Sequence, residues 1–198
     1  MELRKRKRDY KNTSNKRSKK ETVLIENLFI KKLKSNEKKA ILIFGCPGSG
    51  KSNYINSNNS EFNNYVKISR DYFIENNLDG YNNNSDKWKV LQRLILDVEK
   101  EGLTKNYNLL WEVTGRNWSD ISRIRNICYE NDYNLKFVFI KSDKDLCKNR
   151  IKFREKYNDR KVSLEKFNQA YDKILANFTR LKDENEKIHI YDNIWLPI

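Results

Sequence analysis

The sequence of 198 residues predicts an α/β fold. It reads as a three-layer sandwich, with a mostly parallel sheet of five or six strands and helices on both faces. Three observations carry this. Short apolar runs alternate along the chain with segments whose apolar residues recur at helical spacing. One such run, Ala40–Phe44, leads directly into Gly45-Cys46-Pro47-Gly48-Ser49-Gly50-Lys51-Ser52. That is the G-x-x-x-x-G-K-S phosphate-binding loop, which needs a strand before it and a helix after it. Apolar residues are scarce only in the first twenty positions, and the remainder, 21–198, is long enough to build one core.

Met1–Lys20 carries ten Lys/Arg and two acids, including Arg4-Lys5-Arg6-Lys7-Arg8 and Lys16-Arg17-Ser18-Lys19-Lys20. With so little to bury, it cannot offset the entropy of ordering and reads as a disordered basic tail. Glu21–Lys34 then repeats Leu24, Ile25, Leu28 and Phe29 at helical spacing, with a basic end suited to a helix C-terminus. Ala40–Phe44 is the first strand, and a short helix follows Ser52. Tyr65–Ser69 is the second strand, with Asp71 close behind. A helix carries Trp88, Leu91, Leu94, Ile95 and Val98 inward and stops at Gly102, a common C-terminal residue. Tyr107–Trp111 is the third strand and runs on into Glu112-Val113-Thr114-Gly115-Arg116. A helix with Ile121, Ile124, Ile127 and Cys128 inward leads to the fourth strand, Leu135–Ile140. Asp143 and Ser163 are N-cap residues of two further helices. Ile188–Tyr191 is the fifth strand.

The formal net charge is +14, of which the tail supplies +8. A basic arm on a mildly basic body fits phosphate-rich partners such as nucleic acid, and its two clusters have the form of a bipartite nuclear-import signal. The alternative is a solvated, nonspecific tail. Three cysteines without C-x-x-C spacing exclude a disulfide framework or zinc site and fit an intracellular, reducing compartment. No apolar run approaches the length of a membrane span, and no secretory signal is present. The reading is a cytoplasmic protein with a nuclear option.

In a parallel sheet, ligands bind beyond the carboxyl ends of the strands. That rim receives the loop Gly45–Ser52 after strand one, Asp71 after strand two and Glu112–Arg116 after strand three. Loop N–H groups would cradle triphosphate oxygens, Lys51 would reach the β- and γ-phosphates, and Ser52 would hold Mg²⁺. Asp71 is the carboxylate placed to deprotonate an acceptor hydroxyl, and its alternative is a helix cap. Glu112 can meet a metal-bound water or a substrate hydroxyl, and its alternative is a solvated strand end. Arg150, Arg154 and Arg160 follow strand four, where they can fold over a nucleotide as a lid or simply face solvent. No Asn-Lys-x-Asp and no Asp-x-x-Gly follows the loop, which argues against a GTPase. Glu112 in place of an Asp argues against an ordinary Walker-B ATPase. Three readings stay open: a small-molecule kinase, a polynucleotide or nucleoside kinase, and a nucleotide-binding module that transfers nothing.

The stretch Tyr107–Arg116 resembles the zeta-toxin family of P-loop kinases, whose third strand ends in Glu-Gly-Thr-Gly-Arg. Pro47–Lys51 is similar to that family's P-loop, Ser69-Arg70-Asp71 to its Asp-x-Asp pair, and Arg150–Asn177 to its arginine-bearing lid. The likeness runs from about Ile41 to Phe178. It implies a P-loop kinase-like fold and an enzyme dependent on ATP and Mg²⁺. It assigns Lys51 and Ser52 to ATP and metal, Asp71 as base, Glu112, Thr114 and Arg116 to substrate, and Arg154 and Arg160 as transition-state cations. Well-studied members phosphorylate the 3′-hydroxyl of a UDP-linked amino sugar. Ser69 and Val113 depart from the pattern, the basic tail lies outside it, and a neutralising protein partner is not legible in the sequence.

Overall fold

The computed structural model describes residues 17–76, 85–156 and 163–194. In chain order the elements are α1 (Lys19–Phe29), β1 (Lys39–Phe44), α2 (Lys51–Ser57), α3 (Asn59–Phe62), β2 (Tyr65–Ser69), α4 (Arg70–Glu75) and α5 (Ser85–Thr104). They continue with β3 (Asn108–Val113), α6 (Trp118–Glu130), β4 (Asn134–Lys141), α7 (Lys144–Glu155), α8 (Leu164–Asp183) and β5 (Ile188–Asp192). The strands form one five-stranded sheet in the order β2-β3-β1-β4-β5, and every neighbouring pair is parallel.

β1 lies in the middle of the sheet, which is why its sequence is apolar without alternation. Its residues point to opposite faces in turn. Ala40, Leu42 and Phe44 join Trp111, Phe137 and Phe139 in the larger core beneath α1, α5, α6 and α8. Ile41 and Ile43 join Leu110, Val138 and Ile140 in a smaller core closed by Tyr54, Ile55 and Phe62 from α2 and α3. Helices thus cover both faces, unequally. The register pairs Ser69 with Glu112 and sets Phe44 beside both Val113 and Phe139. The carboxyl ends of the strands are therefore flush, and their loops emerge along one rim.

Several boundaries differ from the sequence reading. The tail expected over residues 1–20 ends sooner, because Lys19 and Lys20 already belong to α1. Ser18 caps that helix in a capping box with Glu21, and Arg17 pairs with Asp97 of α5 at 2.8 Å. Glu21 also accepts from Arg93 on α5 at 2.5 Å, so the cap doubles as the dock between the two helices. Residues 1–16 lie outside the described residues. At its other end α1 stops at Phe29, and Lys31 takes a left-handed φ of 60°. Gly102 does not end α5. The helix runs through it to Thr104, and a Cβ there would stand 2.5 Å from Leu109 Cδ2. Glycine serves here to bring α5 close to β3, and the left-handed turn falls at Asn106, with φ 57°.

Candidate active site

The P-loop joins β1 to α2. Gly48 and Gly50 have φ of 79° and 94°, in the left-handed region that favours glycine. Gly50 is the N-cap of α2 and offers no side chain to close the cap. The first N–H groups of a helix have no intrahelical partner, so those at Lys51 and Ser52 are donors for an anion. A cleft of about 950 Å³ opens over this loop. Pro47, Gly48, Gly50, Lys51 and Ser52 line it, whereas Gly45, Cys46 and Ser49 lie beneath the loop surface. Ser49 is fully buried, with its Oγ unpartnered among the described residues.

Lys51 Nζ donates to Gly45 O at 2.9 Å and to Cys46 O at 3.0 Å. Burial holds its ammonium below the ordinary lysine pKa, partly offset by the carboxylates of Glu112 and Asp71. A lysine that has lost water and gained nearby acids is prepared for a stronger anion. Ser52 Oγ donates to Glu112 Oε1 at 2.8 Å, so the end of β3 reaches the start of α2. Asp71 lines the same cleft from the first turn of α4. It is not the cap of that helix. Ser69 is, its Oγ accepting from Asp71 N at 3.3 Å, so the capping explanation for Asp71 does not hold.

Thr114 lines the cleft beside Glu112, but Arg116 is exposed and not part of the lining. The turn between them is clamped from α8: Asn177 Nδ2 donates to Gly115 O at 2.8 Å and to Arg116 O at 3.1 Å. Gly115, with φ 75°, leaves room for Phe44, whose Cδ2 would be 2.8 Å from a Cβ there. Arg154 lines the cleft from the last turn of α7. Arg160 lies outside the described residues.

Arg150 and Asn193 act on the P-loop itself. Arg150 Nη1 donates to Gly48 O at 3.2 Å and to Ser142 Oγ at 3.3 Å, so this arginine is not on a solvated face. Asn193, just past β5, donates from Nδ2 to Ser49 O at 2.7 Å. A Cβ on Gly50 would sit 2.0 Å from that Nδ2. The sequence reading did not single out Asn193. The strand-end rule that selected Asp71 and Glu112, applied to the fifth strand, points to it. Cys147 of α7 lies under the loop beside Cys46, and that neighbour, with Ser142 and the charges of Arg150 and Lys51, draws its thiol below the ordinary cysteine range.

Together these groups form a rim that can bind a polyphosphate at the P-loop and present carboxylates to whatever lies beside it. Similar architectures occur in solved structures. A chain from the PezAT chromosomal toxin-antitoxin system of Streptococcus pneumoniae superposes with TM-score 0.72 at 21% identity, over 90% of this chain and 80% of that one. A chain of the Pnkp1/Rnl/Hen1 RNA repair complex gives TM-score 0.64 at 14% identity, over 74% of this chain and 47% of that one. A chain of the AvrRxo1-ORF1:-ORF2 complex with ATP gives 0.60 at 8% identity, over 88% and 59%. At such identities the likeness is one of fold. No curated protein sequence matches this chain. The family model described as Zeta toxin matches residues 25–194, from within α1 to just past β5, and the chain belongs to the zeta toxin family.

Proposed function

We propose that the protein is an ATP-dependent kinase that transfers the γ-phosphate to a hydroxyl of a small molecule, with a nucleotide sugar as the first acceptor to test. The observation that supports this is the convergence of Lys51, Asp71 and Glu112 on one cleft over the P-loop. Gly45–Ser52 and the start of α2 would hold the triphosphate, with Lys51 on the β- and γ-phosphates. The neighbouring oxygens of Ser52 and Glu112 suit a hard cation, and Mg²⁺ there would neutralise phosphate charge.

Asp71 takes the proton of the acceptor hydroxyl as the new bond to phosphorus forms. Glu112 and Thr114 position the acceptor, and Arg154 balances charge developing on the transferred group. Arg116 and Arg160 keep the substrate and transition-state roles that the family resemblance assigns. Arg116 would have to turn inward from its exposed position. The PezAT structure is of a toxin-antitoxin system, which supports a neutralising protein as a partner to look for.

A second reading, phosphorylation of a polynucleotide end, is favoured by the seven Lys/Arg against two acids in residues 1–16. One experiment separates the two. Purified protein is incubated with γ-labelled ATP and a panel of UDP-sugars, nucleosides and 5′-hydroxyl oligonucleotides. Label in a UDP-sugar supports the first reading and label in the oligonucleotide supports the second. Label in none of them, with ATP bound, refutes both.

A further inference from the structure

The P-loop is a chain of peptide planes, and in each plane the C=O and the N–H point in opposite directions. Fixing a carbonyl therefore fixes the amide of the next residue. In the second half of the loop, two planes are held by neighbours within reach of the loop or α7. Gly48 O accepts from Arg150 Nη1, and on the other edge of that plane Ser49 N donates to Cys46 O at 3.0 Å. Gly50 O accepts from Tyr54 N at 2.9 Å, which ties its plane to α2. Between them lies the plane that joins Ser49 C=O to Gly50 N–H. Among the described residues the hydrogen bond found on this plane comes from Asn193, whose Nδ2 donates to Ser49 O at 2.7 Å.

This plane is also able to turn over. A peptide flips by opposite rotations about the ψ before it and the φ after it, and the residue after it here is a glycine at φ 94°. Without a Cβ, Gly50 meets little steric resistance in either orientation. In one orientation the plane turns an N–H donor to a given side, and in the other it turns a carbonyl oxygen there, which a polyanion repels. Asn193 is itself fixed. It follows β5 directly and is 5% exposed. Its backbone N donates to Lys141 O at 2.8 Å, and its backbone O accepts from Ser142 Oγ at 3.1 Å. Its amide is packed so closely on the loop that a Cβ on Gly50 would stand 2.0 Å from Nδ2. A buried amide has a desolvation cost that one neutral hydrogen bond barely offsets, so what this contact supplies is direction.

We propose that Asn193 is a positioning residue of the triphosphate site: it holds the Ser49 carbonyl and thereby aims the Gly50 N–H at the phosphates. The inference rests on the nucleotide-binding part of the kinase reading and adds to it a determinant that lies outside the P-loop. Because Asn193 acts through the backbone, its effect depends on the phosphates of the ligand and not on the nucleoside.

The test uses the full chain with Mg²⁺ and two probes. One is a non-hydrolysable ATP analogue, and the other is inorganic tripolyphosphate, which has the phosphates alone. Calorimetry gives both affinities, and a melting curve checks the fold. Asn193→Ala weakens both probes by the same factor, about 10–150-fold, the worth of a hydrogen bond to a charged group. Nuclear magnetic resonance follows the donor itself. The chain has six glycines, so isotope-labelled glycine gives few amide signals. In the parent the Gly50 amide proton moves strongly downfield when either probe binds, the mark of an N–H donating to phosphate. In Asn193→Ala that shift shrinks even at saturating probe. Asn193→Asp keeps the shape but sets an acceptor against Ser49 O. It loses the Gly50 shift as well, and it serves in place of the alanine variant if that one does not fold.

The inference is overturned if Asn193→Ala binds tripolyphosphate like the parent, or if its Gly50 amide shifts as the parent's does. It is also overturned if affinity for the ATP analogue falls while affinity for tripolyphosphate does not, because Asn193 would then act on the nucleoside. Each of these results leaves the kinase reading standing. Failure of the parent to bind either probe removes the inference together with the P-loop reading. Absence of transfer to any acceptor, with both affinities still dependent on Asn193, removes the kinase reading and supports the inference.

Discussion

Asp71→Asn separates chemistry from architecture more cleanly than any other single change. The substitution keeps size and polarity but cannot accept a proton. General-base assistance is worth about 10²–10⁴ in rate, or about 3–5 kcal/mol of barrier. The structural cost is small because Ser69, not Asp71, caps α4. At the helix itself the change removes one negative charge from the first turn, worth about 0.3–1 kcal/mol. For a domain of this size that lowers Tm by roughly 1–4 °C. Asp71 is also one of the acids that offset the burial of Lys51. Removing it takes a negative charge from beside a polyanion site, so ATP affinity should hold or rise slightly. The assay is single-turnover transfer of γ-label to the acceptor found in the panel, with calorimetric ATP binding and a melting curve beside it. The expected result is normal binding, a nearly normal melt, and transfer slowed by that factor. Transfer at close to the parent rate would refute the reasoning and leave Glu112 as the candidate base. Lost ATP binding with a collapsed melt would show instead that Asp71 is structural.

Lys51→Ala should weaken ATP binding by about 10–150-fold, the worth of a charge-assisted contact. Calorimetry checks this, and unchanged affinity would remove the P-loop reading. Gly50→Ala places a Cβ 2.0 Å from Asn193 Nδ2 at a φ of 94°. The strain and the broken hydrogen bond together cost about 2–3 kcal/mol, seen as a lower Tm and as lost ATP binding. Asp143 caps α7, its Oδ1 accepting from Asp145 N at 2.8 Å and Leu146 N at 3.0 Å. Those backbone bonds hold its carboxyl below the usual aspartate range. Its stabilisation is thus present above the unfolded pKa of about 3.9 and is lost as pH falls through the lower folded value. Urea melts should show Asp143→Ala weaker than the parent at neutral pH and converging with it in acid, while Asp143→Asn, which keeps the cap, stays close to the parent at neutral pH.

Much of the site was legible because its signals are local. The glycines, Lys51 and Ser52 are contiguous, and a loop of that composition after an apolar strand has few other uses. Asp71 and Glu112 could be selected because a parallel sheet sends its ligands to the carboxyl ends of its strands, and those ends can be read from short apolar runs. The sheet itself followed from the alternation of strand and helix patterns. Element ends were less legible. Gly102 looks like a helix stop, but its close contact with Leu109 depends on how α5 lies across β3. Lys19 and Lys20 look like tail, but Ser18 and Glu21 close a cap and Glu21 meets Arg93 from a different helix.

What only the tertiary structure decided is how the rim is held. Arg150 meets Gly48 across 102 positions of sequence, and Asn193 meets Ser49 across 144. Asn177 reaches the Gly115 turn across 62, and Glu99 gathers Trp111 and Arg123 from a strand and another helix. No periodicity or spacing announces such pairs, because each depends on the packing of elements that are distant in the chain. The sequence by itself determined the strand-loop-helix unit that can bind phosphate and the order of the layers around it. Packing then determined which arginines face the cleft, which asparagines hold its loops, and which buried carboxylate braces its wall. A side chain's partner is set by the shape of the whole core, whereas a loop's conformation is set largely by its own residues.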